Sequence, residues 1–270
     1  MDIIIPIITL GVLGAIFGVG LAIASKRLAV VIDPRLEKVH GLLPGANCGA
    51  CGGAGCFGFA EMLLSGKADV SACRVSDEKV QEQVAKLLGK SLDKKVKKVA
   101  TLRCNGGLKV KDRFVYHGIK DCMAANLVLK GQKGCIYGCL GFGNCVKVCP
   151  FDALKMSDDS GLPVVDKDKC KACNKCVIAC PKRLFTLSPI TNPLFEGRDA
   201  VYVLCSSHDA GKDTRSACPV GCIACKLCEK ACKFDAIHVI DNLAVIDYDK
   251  CTSCAACVKV CPMKTIGVKS

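Results

Sequence analysis

The sequence predicts an α+β chain with one N-terminal membrane helix, a small helical cysteine domain, and two tandem modules of short helices and strands built around metal-binding cysteines. Three observations carry that expectation. The stretch from Ile3 to Ala24 has no charged side chain. Cysteine supplies 24 of the 270 residues, most of them in recurring runs. Short apolar stretches, Leu162 to Asp166 and Leu243 to Asp247, separate the paired runs and read as strands. With no Trp, 4 Tyr and 9 Phe, a large aromatic core is excluded, and 51% hydrophobic content disfavours disorder. The cysteines must therefore organise the fold.

The membrane helix comes first. An α-helix over Ile3 to Ala24 spans about 33 Å, enough for a hydrocarbon core. Pro6 falls in its first turn, where a missing N–H is tolerated. Gly11, Gly14, Gly18 and Gly20 permit close approach of other helices. Lys26 and Arg27 follow at once, and Arg35 and Lys38 come later, while no basic residue precedes the run. The positive-inside rule then puts the rest of the chain in the cytoplasm. A cleaved signal peptide is the competing reading, since Ala22-Ile23-Ala24 resembles a cleavage site, but the basic residues lie on the wrong side for one. The choice matters because a reducing cytoplasm leaves cysteines free to bind metal.

Residues 28–90 read as a four-cysteine domain. Cys48, Cys51, Cys56 and Cys73 lie in and after Pro44-Gly45-Ala46-Asn47-Cys48-Gly49-Ala50-Cys51-Gly52-Gly53-Ala54-Gly55-Cys56. Glycines let backbone wrap closely and turn amides towards an anionic core. A structural zinc site would favour two C-x-x-C pairs or histidine ligands, and this group has neither. Phe57 to Ser65 reads as a short helix. Ser76 to Leu88 reads as a second, with Val80, Val84, Leu87 and Leu88 as a packing stripe and Gly89 as its stop.

Two modules follow, at 135–190 and 222–270. Cys170, Cys173, Cys176 and Cys180 precede Pro181, and Cys251, Cys254, Cys257 and Cys261 precede Pro262. Cys222, Cys225, Cys228 and Cys232 repeat the spacing with Lys233 in place of proline. This is the bacterial-type ferredoxin run, in which three cysteines hold one [4Fe-4S] cluster and the fourth reaches its neighbour. Cys135, Cys139, Cys145 and Cys149, before Pro150, form an irregular fourth run with a wider loop. The crossover rule predicts four ligand sets. They are Cys135, Cys139, Cys145 and Cys180; Cys149, Cys170, Cys173 and Cys176; Cys222, Cys225, Cys228 and Cys261; and Cys232, Cys251, Cys254 and Cys257. With the first group, five clusters are expected.

Cys104, Cys122, Cys205 and Cys218 remain. They lie in a connector and insertion at 91–134 and an insertion at 191–221, each after a β-like segment, Val99 to Arg103 or Ala200 to Leu204. The two stretches read as equivalent insertions in a duplicated unit. Together these four cysteines could hold a sixth metal centre; buried thiols or two disulfides are the plainer readings. Ser91 to Lys98 is a Lys-rich connector. His40, His117, His208 and His238 lack ligand spacing, and no nucleotide fingerprint is present.

The formal charge of +13 would suggest nucleic acid or an anionic surface. Four thiolates around an oxidised cluster carry about −2, so five or six clusters lower the balance to about +3 or +1. No nucleic-acid motif accompanies the lysines.

Taken together, the anchor, the Pro44 to Cys56 motif with Cys73, and the paired ferredoxin runs resemble the B-subunit family of the Rnf complex over nearly the whole chain. That complex is a membrane ferredoxin:NAD oxidoreductase that translocates Na⁺ or H⁺, and two ferredoxin modules mark the longer type of this family. The resemblance implies an electron-transfer subunit of a translocase, with no catalytic residue of its own. It would accept electrons from soluble ferredoxin and relay them to the other membrane and peripheral subunits, in the cytoplasmic (inner) membrane. The site at Cys48 to Cys73 would be the membrane-side exit and the distal modules the input. The alternatives are a related complex that reduces a redox-sensing regulator, a ferredoxin-like subunit of a hydrogenase or dehydrogenase, and a zinc- or disulfide-stabilised interaction protein.

Overall fold

A computed structural model describes residues 4–28, 33–91, 97–192 and 198–268. Ile3, much of the Lys-rich connector and part of the second insertion lie outside the described residues. Helix α1, Ile4–Arg27, ends on Lys26 and Arg27. Within it, Ile7–Arg27 is long and apolar enough to cross a membrane, with a mean hydropathy of 2.4. Its large side chains, from Ile4 to Ile23, are exposed, so the described residues supply no apolar cover for them.

The cysteine domain begins with a helix absent from the sequence-based expectation, α2 at Pro34–Leu42. Its signal was present: the Asp33 side chain accepts from Arg35 N as an N-cap, and proline occupies the first turn. Helix α3, Cys56–Leu64, and α4, Glu78–Leu88, follow, with Gly89 ending α4 in the left-handed conformation at φ 65°. Leu36 and Val39 of α2, Phe59, Ala60 and Leu63 of α3, and Val84 of α4 form one buried core. Val80 and Leu88 pack partly against it, whereas Leu87, expected in the packing stripe, is exposed like Phe57: it falls on the outward edge of α4.

Each module is closed by strands that flank it. Strand β1, Lys98–Leu102, precedes the insertion that carries helix α5, Cys122–Leu127. Helix α6, Asn144–Lys147, the hairpin β2 and β3, Leu154–Met156 and Pro163–Val165, and helix α7, Lys175–Ala179, come next. Strand β4, Phe185–Pro189, then pairs antiparallel with β1, Leu102 opposite Phe185. The second module repeats the plan. It runs through β5 at Val201–Val203, α8 at Gly211–Ala217, α9 at Leu227–Ala231, a hairpin of β6 and β7 at Ile237–Ile240 and Leu243–Ile246, α10 at Ala256–Val260, and β8 at Ile266–Val268. Here β5 pairs with β8. The strands inside the 91–134 and 191–221 stretches thus close the two modules, as a duplicated unit would have it. Between the modules, Tyr202 of β5 donates to Pro189 O of β4 at 2.6 Å; within the second module, Tyr248 donates to Val201 O at 3.0 Å.

Candidate metal centres

All 24 cysteines are free thiols. Five recesses gather twenty of them by fours, and Cys222, Cys225, Cys228 and Cys261 are the four that remain; the six groups are numbered here I to VI. Site I is lined by Cys48, Cys51, Cys56 and Cys73 around a recess of about 310 Å³. The loop is shaped by three close approaches. Asn47 Oδ1 accepts from Cys56 N at 2.7 Å, satisfying an N–H that the first turn of α3 leaves open. A Cβ on Gly53 would stand 2.7 Å from Phe59 N, and one on Gly55 would stand 2.8 Å from Asn47 Oδ1. Ser76 Oγ donates to Cys73 Sγ at 3.0 Å, which holds that side chain in place.

The regular runs share one backbone device. Two left-handed residues sit two and four positions after the first cysteine: Ala172 and Asn174, Ala224 and Lys226, Ser253 and Ala255. A third lies three positions after the last cysteine, at Arg183, Asp235 and Lys264. The next N–H then donates to that last thiol, from Leu184 to Cys180 at 3.5 Å, from Ala236 to Cys232 at 3.4 Å and from Thr265 to Cys261 at 3.4 Å. Cys149, Cys170, Cys173 and Cys176 line site II, and Cys232, Cys251, Cys254 and Cys257 line site VI, both as the crossover rule predicts. In site V, Cys222 and Cys225 raise the Cys228 thiol, which burial has already pushed up to about 11. Cys261 is the remaining thiol of the module, in a core that also holds Cys222, Cys228, Cys232 and Cys257.

The first run departs from this plan. Its left-handed residues are Gly141 and Gly143, which puts Cys139, Cys145 and Cys149 at the first, third and fourth cysteine positions. Phe142 stands where the second cysteine belongs. The missing thiol comes from the insertion: Cys122, Cys139, Cys145 and Cys180 line site III, a recess of about 380 Å³. Asp121 caps α5 by accepting from Met123 N and Ala124 N. Asn144 joins α5 to the run, accepting from Cys122 N at 2.9 Å and donating to Asp121 Oδ2 at 2.6 Å. Tyr116 of the insertion lies against Phe142, with ring centroids 5.8 Å apart.

Cys135 is thereby released. It lines a recess of about 430 Å³ with Cys104, Cys205 and Cys218, which is site IV; Cys139 touches the same recess from site III. Burial pushes the Cys135 thiol up to about 11, and Cys104, Cys205 and Cys218 add to the rise. The predicted groupings of Cys135 with Cys139, Cys145 and Cys180, and of Cys122 with the other spare cysteines, are therefore both corrected: Cys122 and Cys135 change places. The signal was legible in the sequence as C-x5-C-x3-C-P with phenylalanine at the central position.

The six sites form one line. Cys48 of site I raises the Cys173 thiol of site II, after burial; Lys171 Nζ lies 3.8 Å from Asp77 Oδ1, and Phe151 packs against the cores of both. Cys145 of site III raises Cys176 of site II, whose burial already pushes it up to about 12. Cys139 joins sites III and IV, its thiol pushed up to about 12 by burial and then by Cys104, Cys145 and Cys122. Cys222 N of site V donates to Cys205 Sγ of site IV at 3.4 Å. Cys228 of site V is among the thiols that raise Cys257 of site VI, which burial pushes up to about 11. Cys225 and Cys254, at the far end of the line from α1, are the exposed thiols among the described residues.

Each donor set is all sulfur, and those of sites I, II, III, IV and VI are spread around a recess. Among the described residues no group of three or more Cys, His, Asp or Glu side chains is close enough to hold a single metal ion. A four-sulfur set that opens around a cavity fits a [4Fe-4S] cube, which bridges thiolates a lone zinc ion would draw together.

Comparison with known proteins agrees. An Fe-S cluster family model matches residues 43–75, a 4Fe-4S binding domain matches 162–185, and a 4Fe-4S dicluster domain matches 221–265. The chain is 48% identical over 98% of its length, and 78% of the relative, to the B-subunit of the Na(+)-translocating ferredoxin:NAD(+) oxidoreductase complex of Acetobacterium woodii. It is 43% identical to the B-subunit of the ion-translocating oxidoreductase complex of Methanosarcina acetivorans, covering 95% of each chain. The B-subunit of the proton-translocating ferredoxin:NAD(+) oxidoreductase complex of Clostridium ljungdahlii is also 43% identical, over 98% of this chain and 92% of that one.

Proposed function

The chain belongs to the B-subunit family of ion-translocating ferredoxin:NAD(+) oxidoreductase complexes, and from that premise we propose that it carries electrons from a reduced soluble ferredoxin to the membrane subunits along sites VI to I. It is an iron–sulfur electron-transfer subunit of a translocase. The observation that carries the finer reading is the unbroken line of six four-thiol sites, which uses all 24 cysteines. A [4Fe-4S] cube supplies one-electron storage when bound; the residues around it set spacing, dielectric and docking. Six such cofactors, one per site, are proposed.

The line has a direction. Site I lies in the short helical domain that comes next in the chain after α1, which favours it as the exit beside the bilayer. Lys26 and Arg27 at the end of α1 favour placing everything beyond it on the cytoplasmic side. The exposed Cys225 and Cys254 favour sites V and VI as the input, since an external donor must come close to the thiol-lined wall. Lys226, Lys259 and Lys264 flank those runs and suit an acidic donor.

Membranes that carry the assembled complex test this. Cys228→Ser, which breaks site V, is expected to abolish ferredoxin-dependent NAD reduction while the membrane content of the subunit stays unchanged. Undiminished NAD reduction with site V empty would show that electrons bypass the second module.

A further inference from the structure

We propose that Lys182 sets the reduction potential of the junction between sites III and IV, through a positive charge fixed between them. The proposal rests on the reading that these two sites hold clusters. Lys182 follows Cys180 and Pro181, and its side chain lines the site III recess. Its ammonium donates to Ile136 O at 2.6 Å, the residue after Cys135 of site IV, and to Lys130 O at 2.5 Å. Both acceptors lie in the 130–136 loop that carries Cys135 of site IV, and Lys182 itself follows Cys180 of site III by two residues, so the ammonium is held between the two sites. Burial and then Lys130 lower its pKa, and the Cys135 and Cys180 thiols act against that fall.

Other cations near this junction are placed differently. Lys133 lines the site IV recess but is paired with Asp112 at 3.0 Å. Arg113 is exposed, and it binds the same loop through Leu129 O, Gly131 O and Lys133 O at 2.8, 2.9 and 3.1 Å. Lys182 is half-buried, and both its acceptors are uncharged carbonyls, so its field is neither neutralised by them nor fully screened by water. Net charge and burial around a cluster are levers on its potential. A fixed cation favours the reduced, more negative state of both neighbours. It does so where electrons must cross from the second module to the first, at the point where Cys122 and Cys135 have changed places.

A purely structural role is the competing explanation, because Lys182 also holds the 130–136 loop. Full-length protein purified without oxygen separates the two. Potentials are read by EPR-monitored titration, with iron counted on the same samples. The signals of sites III and IV are identified by their loss in Cys145→Ser and Cys104→Ser. In Lys182→Gln, which keeps a donor and loses the charge, those two sites are expected to keep their iron and become about tenfold harder to reduce, about 59 mV for one electron. Lys182→Arg, which keeps the charge, and Arg113→Gln, which loosens the same loop from its other side, are expected to stay at the wild-type potentials. An iron-loaded Lys182→Gln with unshifted potentials overturns the proposal. So does an equal shift in Arg113→Gln, or loss of iron from the two sites in Lys182→Gln, either of which assigns the lysine to scaffolding. Iron-free wild-type protein would instead defeat the cluster reading itself.

Discussion

The two ferredoxin modules share one plan and use it differently. In the second module, Cys222, Cys225 and Cys228 stay together, and Cys232 crosses over to Cys251, Cys254 and Cys257. In the first, Phe142 replaces the second cysteine, Cys122 arrives from an insertion, and Cys135 leaves for site IV. The regular module makes a closed pair of sites. The irregular one gives up a thiol to a site it shares with Cys205 and Cys218 of the other module's insertion. A departure from regular spacing thus marks the place where two self-contained pairs become one continuous line.

Breaking the shared site should have the largest effect. Cys205→Ser is expected to leave both pairs of sites loaded but to stop electron passage between modules. Rapid-freeze EPR after mixing with reduced ferredoxin would then show reduced sites V and VI and oxidised sites I to III. The exchange of thiols gives a finer test. Cys135→Ser/Cys145→Ser is expected to lose about eight iron atoms, since it breaks two sites, and Cys122→Ser/Cys145→Ser about four, since both belong to site III. If the first run were regular, the two double variants would show the opposite ranking. Phe142→Cys should restore the ordinary run, so that it returns about four iron atoms to Cys122→Ser.

A smaller effect concerns pH. Burial raises the Cys139, Cys145 and Cys176 thiols from 9.0 to about 12 in the metal-free fold, with neighbouring thiols adding to it. A raised pKa of this kind stabilises the fold fully below pH 9, and the contribution is lost as pH rises through about 12. Metal-free protein should therefore lose denaturant resistance across that window, while loaded protein, whose thiolates are already bound, should not. The denaturation midpoint at stepped pH measures this. The smallest effect is expected at the seam between sites I and II. Asp77→Asn removes an exposed ion pair with Lys171 and should change stability by at most about 1 kcal/mol in thermal unfolding, with iron content unchanged.

Much of this was legible in the sequence because ferredoxin runs are local. Three regular runs, the Asn47 to Cys56 loop and the apolar α1 each carry their own spacing, and helices α3 and α4 and the hairpin strands follow within a residue or two. The exchange of Cys122 and Cys135 is hidden from the spacing for a physical reason. A crossover rule presumes that each site is filled from within its own two runs, whereas Cys122 reaches site III through Asn144 and Asp121, contacts more than 20 residues apart in the chain. Phe142 was the local clue, and it becomes readable once Gly141 and Gly143 are seen to occupy the left-handed positions of Ala172 and Asn174. Site IV draws its ligands from three separate segments, so no spacing announces it.

Iron and acid-labile sulfide, counted on anaerobically purified full-length protein beside Cys104→Ser, test the six-site line most directly. About 24 iron atoms are expected in the wild type and about 20 in the variant. A wild type that holds about 20, unchanged by the substitution, would show that site IV binds no cluster and that the line is broken between the modules.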